Sequence, residues 1–279
     1  MSEAVTVPAL ARSLLFVPGH KPERFDKAVA SGAHEVILDL EDAVAPAAKV
    51  EARASVAAWL AASPSHRAFV RINAMGTEWH EDDLRMLQGA SAHAGLMLPK
   101  AEAGSLAPST KALPGRRVIA LLETVAGYIE LERIVRIAGL ERIAFGSVDF
   151  ASESGIADEG DAMTGVRTHI VLHSRHAGLA APIDGVSVEF SDQARMCADA
   201  LRSRQLGFGG KLCIHPNQVR PVNEAFLPTA QERQWAARVI AAFEASRGAA
   251  TAVDGKMIDK PVVEQARRIV AESPPDAAA

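Results

Sequence analysis

Eight short, β-rich apolar runs set the rhythm of this chain: residues 13–17, 35–40, 68–72, 95–98, 117–122, 142–145, 185–188 and 211–214. Runs of this length read as buried strands, and the segments between them, such as 23–30, 49–61, 81–88, 126–137, 165–177 and 192–204, are amphipathic or alanine-rich and read as helices. Strand and helix in strict alternation predict a parallel sheet, because parallel neighbours need long crossovers. Eight such units, with no Pro/Gly/Ser-rich linker among them, favour an α/β chain closed as a (β/α)8 TIM barrel over an open doubly wound sheet. The 279 residues match the size of one such barrel, although two smaller domains also fit that length.

The rhythm stops after the eighth run. Helical segments 231–247 and 262–271 flank a small, flexible stretch, 248–255, with no ninth strand. The reading is therefore a barrel over residues 11–228 and a C-terminal helical extension, acting as a lid, over 229–279. The Pro/Ala-rich end, residues 273–279, reads as frayed.

Composition excludes several classes. Lys and Arg total 30 against 34 Asp and Glu, a net charge of -4, so no positive field is available for a nucleic acid backbone. Aromatic residues are 5%, with a single Tyr, too few for a base-stacking surface. Cys197 and Cys213 supply neither a disulfide framework nor a zinc cluster and fit a reducing cytoplasm. Residues 1–10 lack a basic stretch followed by an apolar core, and no run of about 18 apolar residues occurs, so the expectation is a cytoplasmic chain with no membrane partner.

Barrel enzymes place their chemistry at the carboxyl ends of the strands, and there the sequence is polar almost throughout. The second run ends in Asp39-Leu40-Glu41-Asp42, the third in Arg71-Ile72-Asn73, the fourth in Pro99-Lys100-Ala101-Glu102, the fifth in Glu123-Thr124, the sixth in Gly146-Ser147-Val148-Asp149 and the eighth in His215-Pro216-Asn217-Gln218. Glu123 and Asp149 end adjacent strands, and two carboxylates without Cys or paired His make a hard oxygen site suited to Mg2+. The bland alternative for each is a helix cap or a surface ion pair. Asp39 and Glu41 share a strand face and are placed to hold the metal's waters or to orient Arg71; Asp42 reads equally as a solvated acid. Arg71 offers a planar fork for a carboxylate or a polarised carbonyl, against a plain ion pair with Asp39 or Glu41. Lys100 reads as a salt-bridge partner of these acids rather than a Schiff-base nucleophile. His215 reads as a rim or turn histidine, and Asp259, two residues before Pro261, as the cap of the last helix.

Five motifs, in order, carry a family resemblance: Arg12-Ser13-Leu14-Leu15-Phe16-Val17-Pro18-Gly19, Asp39-Leu40-Glu41-Asp42-Ala43-Val44, Arg71-Ile72-Asn73, Pro99-Lys100-Ala101-Glu102 and Gly210-Lys211-Leu212-Cys213-Ile214-His215-Pro216. From about residue 12 to residue 271 the chain resembles the citrate lyase beta subunit-like family of the HpcH/HpaI aldolase superfamily. The resemblance implies a Mg2+-dependent barrel that makes or breaks the bond between a coenzyme A thioester α-carbon and a keto acid, with citryl, malyl or citramalyl thioesters as the substrate class. It assigns the metal to Glu123 and Asp149, the keto acid to Arg71, and support of the metal's water shell to Asp39 and Glu41. It reads residues 254–261 as a lid that brings Asp259 to the thioester α-carbon of a neighbouring subunit, which implies a homo-oligomer, a trimer or hexamer. Arg24 and Lys27 then become candidate contacts for coenzyme A phosphates, beside the plainer reading of a solvated basic helix face. Residues 150–155, where a more apolar continuation carrying another acid is expected, depart from the family pattern, and His173, Ser174 and His176 have no assignable role.

Three rivals stand beside a free lyase. The same metal site suits a thioester hydrolase or a malate synthase-like condensing enzyme. A citrate lyase beta subunit would instead act on an acyl carrier protein within a complex. A barrel that binds metal only structurally would lose stability, not turnover, on substitution of Glu123.

Overall fold

The computed structural model describes residues 10–62 and 66–273, and the readings on residues 1–9 and 274–279 lie outside these. The chain divides into two compact units, Leu10–Glu224 and a second from Ala225 onward. In the first, β1 (Ser13–Pro18), α1 (Phe25–Val29), β2 (Glu35–Asp39), α2 (Lys49–Ala62), β3 (Ala68–Arg71), α3 (His80–Gly89), β4 (Ala94–Leu98), α4 (Ala103–Ala112) and β5 (Val118–Leu122) follow in turn. The unit continues with α5 (Val125–Ile129), α6 (Leu131–Ile134), β6 (Leu140–Phe145), α7 (Ser147–Ser154), α8 (Thr164–His176), β7 (Ile183–Asp184), α9 (Gln193–Gln205), β8 (Gly210–Cys213) and α10 (Val219–Ala225). Strands β1 to β8 pair in sequence order, all parallel, and β8 returns to β1 to close the barrel.

Every strand contributes to one interior cluster, Leu14, Ile37, Phe69, Met97, Ile119, Leu121, Ala144, Ile183 and Leu212. Successive inward positions on a strand lie two residues apart, so the next inward layer toward the carboxyl ends is dictated by that cluster. Two residues after Ile37 comes Asp39, after Phe69 Arg71, after Leu121 Glu123, after Ala144 Gly146 and after Leu212 Ile214. Hydrophobic packing thus sets the height at which the polar groups emerge.

Two expectations need correction. The seventh strand is Ile183–Asp184, not residues 185–188. Gly185 passes so close to α7 that a Cβ there would lie 2.2 Å from Ser147 Oγ, and the following valines leave the sheet to line a cavity. In the second unit, the stretch expected to be without strands folds as an antiparallel hairpin, β9 (Thr251–Val253) and β10 (Lys256–Ile258), between α11 (Ala230–Ala245) and α12 (Lys260–Ala271). Its turn is Asp254-Gly255, with φ of 52° and 74°, the left-handed pair that a two-residue hairpin demands. This unit buries its own small core of Ala236, Val239, Ile258, Val263, Ala266 and Ile269.

Candidate active site

A cavity of about 410 Å3 opens at the carboxyl ends of the barrel strands. Its charged lining is Asp39, Asp42, Arg71, Glu123 and Asp149; Phe16, Leu121, Phe145, Val148, Val186, Val188, Leu212 and Ile214 are its apolar lining.

Arg71 is the hub of the charged lining. Its Nε donates to Asp39 Oδ1 at 2.7 Å and its Nη2 to Asp39 Oδ2 at 2.5 Å, a bidentate pair, while Nη1 lies 3.3 Å from Glu41 Oε2. The guanidinium also sits 4.7 Å over the Phe16 ring. Burial alone would lower its pKa, but hydrogen bonds and charge from Asp39, and the charges of Glu41 and Glu123, hold it above the ordinary range. Asp39 is fixed in turn by the backbone N–H groups of Glu41 (2.9 Å) and Ala43 (3.3 Å).

Glu41 Oε1 accepts from Lys100 Nζ, the ion pair expected for this lysine, and Asp42 lies 3.9 Å from the same ammonium. Lys100 itself has φ 46°, a left-handed conformation costly for a side chain with a Cβ. That turn aims its N–H at Glu123 Oε1, 2.8 Å away. The other Glu123 oxygen, and Oε2 of Glu41, are buried with no hydrogen-bond partner. Burial first, and the Glu41 charge second, push the Glu123 carboxyl up to about 8; burial also raises that of Glu41.

The donor set is thus all oxygen and over-supplied with negative charge. Among the described residues no three His, Cys, Asp or Glu side chains converge as a ready-made cage. Two carboxylates, Glu123 and Asp149, on an open cavity fit Mg2+, which keeps several waters and uses few protein ligands. The unpartnered Glu123 oxygen is the observation that makes this fit specific, since a buried carboxylate oxygen is costly to leave unpaired.

Arg24 and Lys27 do not line this cavity. Arg24 and Lys27 stay exposed on the first helical turns, and Arg24 lies 4.0 Å from Glu23. Asp259 is the N-cap of α12, accepting from the Val262 N–H at 3.4 Å. His215 caps the turn at Pro216 and stacks 4.8 Å from Phe190. His173 packs edge-on against His169 at 4.2 Å, off the cavity lining, and residues 150–154 continue α7 as helix, closed by Gly155 in the left-handed region.

Sequence reasoning overlooked three supports. Lys49, buried, donates to the carbonyls of Leu40 and Glu41, both at 2.8 Å, and so holds the acidic turn; burial lowers its pKa. Asp83 fixes Asn73 through its N–H (2.9 Å) and Nδ2 (2.7 Å), and is itself held by Arg53 Nε at 2.6 Å. Gly146 lets β6 pass Glu123, since a Cβ there would stand 2.4 Å from Glu123 Cβ. Of these only the Gly carried a local signal, at the end of an apolar run.

The chain is similar to known proteins over most of its length. Residues 12–216 match the family model described as HpcH/HpaI aldolase/citrate lyase. The chain is 35% identical over 271 residues to the (3S)-malyl-CoA thioesterase of Cereibacter sphaeroides, covering 94% of each chain. It is 31% identical over 307 residues to the L-malyl-CoA/beta-methylmalyl-CoA lyase of Rhodobacter capsulatus, covering 95% of each. Among solved structures, CitE from Mycobacterium tuberculosis, in complex with magnesium, acetoacetate and coenzyme A, superposes with a TM-score of 0.84 at 34% identity, over 96% of this chain and 99% of that one.

Proposed function

Because the chain belongs to the HpcH/HpaI aldolase/citrate lyase family, we propose that it is a Mg2+-dependent carbon–carbon lyase that splits a 3-hydroxyacyl coenzyme A thioester into an acyl-CoA and a keto acid. One observation carries this reading: Arg71, Glu123 and Asp149 meet in a single cavity, with a buried Glu123 oxygen left without a partner. Relatives named as a malyl-CoA lyase and a malyl-CoA thioesterase, and a CitE structure with magnesium and coenzyme A, support it.

Glu123 and Asp149 would hold Mg2+. When bound, the ion supplies a Lewis acid that stabilises negative charge on a substrate oxygen. Arg71, held rigid by Asp39 and Glu41, presents Nη1 to the oxygen that becomes the ketone, a fixed donor that needs no reorganisation. As the C–C bond breaks, the hydroxyl proton passes to solvent water, the hydroxyl oxygen becomes the ketone and the bonding electron pair moves to the thioester α-carbon. A proton must then reach that carbon, and the resemblance gives this task to Asp259. In this proposal Asp259 serves the cavity of another copy of the chain, so the working form is a homo-oligomer, and a closed lid keeps water from the carbanion. Two free thiols and an acyl-CoA substrate fit a cytoplasmic enzyme, and no described helix is long and apolar enough to cross a membrane.

The experiment is product identification with malyl-, citramalyl- and citryl-CoA in the presence of Mg2+. An acyl-CoA plus a keto acid supports the lyase. Free coenzyme A plus the intact hydroxy acid means hydrolysis, the reading favoured by the thioesterase relative. Turnover only on the acyl carrier protein thioester would make the chain a lyase subunit.

A further inference from the structure

Outside the barrel wall, between β7 and β8 on one side and α8 and α9 on the other, lies a second cavity of about 540 Å3. Ile183 and Leu212 point into the barrel core, so by strand alternation their neighbours Asp184 and Lys211 point outward, toward these helices. Arg195, Asp199 and Arg202, one helical turn apart in succession, face the cavity from one side of α9. It shares Val148, Val186 and Val188 with the active cavity, but no charged residue lines both.

The buried end of this cavity has donors left over. Asp184 already accepts from Arg167 Nε at 2.9 Å, from the Gly185 N–H at 2.8 Å and from Ser203 Oγ. Burial by itself would raise its pKa, but the charges of Lys211 and Arg167 hold the carboxyl below its ordinary range. Asp158 lies 2.8 Å from Arg167 Nη2, Asp199 accepts from Ser187 Oγ at 2.8 Å, and Glu189 accepts from the Ser191 N–H at 2.7 Å; Glu159 is exposed. On the donor side, Lys211 Nζ gives one hydrogen bond, to the Gly185 carbonyl at 2.7 Å, and an ammonium has two further N–H groups. Arg167 Nη1 is buried with no hydrogen-bond partner, on a side chain only 6% exposed.

A buried guanidinium N–H without an acceptor is costly, and one water fills only about 30 Å3, so the space takes a ligand of several heavy atoms as well as water. We propose that this outer cavity binds a small oxyanion, a carboxylate or phosphate group that accepts from Arg167 Nη1, with Lys211 and Arg195 supplying further positive charge. Either group suits the planar fork of an arginine whose other nitrogens are already fixed. The site is independent of the lyase reading, since it needs neither Mg2+ nor turnover. It is also distinct from the active cavity, where Asp39, Asp42, Glu123 and Asp149 against Arg71 repel an anion while no metal is bound.

The test is calorimetric titration of inorganic phosphate, and separately of acetate, into the metal-free protein at low ionic strength, with sodium chloride as the control for non-specific charge. Saturable binding of at least one oxyanion, at one per chain, is expected; tighter phosphate assigns the site to a phosphate group and tighter acetate to a carboxylate. Arg167→Lys keeps the buried charge but loses the fork, and should weaken binding by roughly tenfold or more. Arg195→Ala, at an exposed helix position, should weaken it by about threefold or more with the fold undisturbed, and decides the matter alone if Arg167→Lys does not fold. No saturable binding of either oxyanion, or binding that chloride reproduces, would reduce the cavity to a hydrated ion-pair network and overturn the proposal. So would binding that Arg167→Lys, or Arg195→Ala in its place, leaves unmoved.

Discussion

Two buried arginines mark the two ends of the barrel, and they are satisfied in opposite ways. Arg142, at the amino-terminal end, is 1% exposed and donates to backbone carbonyls, Ala181 at 2.8 Å and Ala11 at 2.9 Å. Burial pushes its pKa down to about 9, and its neighbours are dipoles rather than paired charges. Arg71, at the carboxyl end, sits among carboxylates that outnumber the cations. One end is a closed plug that ties three segments together. The other is electrostatically incomplete, which is how a fold stores a demand for a cation and a substrate.

That contrast can be broken in several ways. The largest effect is expected for Glu123→Gln, which removes a metal ligand: kcat should fall roughly a hundred- to a thousand-fold while the thermal midpoint holds or rises, read by steady-state assay and calorimetry. Asp259→Asn comes next. Asn caps a helix as well as Asp does, so stability should be unchanged while turnover drops by roughly 100-fold or more; equal losses of both would reduce Asp259 to its capping bond. Gly146→Ala should cost roughly 10–100-fold in kcat, because the added Cβ must displace Glu123, with the barrel still folded by circular dichroism. At the other end, Arg142→Met should remove roughly 2–4 kcal/mol of stability by stranding buried carbonyls, measured by denaturant titration, with kcat per folded molecule retained.

The smallest effect is a pH dependence. The folded pKa of Glu123 lies above its unfolded value, so between about 4.5 and about 8 the native state binds the extra proton and its stability falls as pH rises. Without metal the melting temperature should decline across that window, and saturating Mg2+ should flatten the decline. A metal-free profile that rises through the same window would contradict the account of Glu123.

Much of this was legible because barrel physics is periodic. The apolar runs set the strands, and residues at their carboxyl ends, Asp39, Arg71 and Glu123, fall on the inward face by the two-residue repeat. What escaped was non-local or conformational. The run at 185–188 carries strand-like valines, but the crowding of Gly185 against Ser147 ends pairing at Asp184. The hairpin at Asp254-Gly255 did have a signal, overridden by the small residues before it. Lys49 folds back on the carbonyls of Leu40 and Glu41, and Lys100 turns left-handed for Glu123, 23 residues on, relations that hydrophobic periodicity does not report.

Whether the over-acidic end of the barrel is a Mg2+-dependent lyase site is read most directly from acetyl-CoA release from citramalyl-CoA before and after chelation. A site of this kind gives turnover in wild type, its loss in EDTA, its return with excess Mg2+, and none of this response in Glu123→Gln. Turnover that survives chelation, or that Glu123→Gln leaves intact, would contradict it.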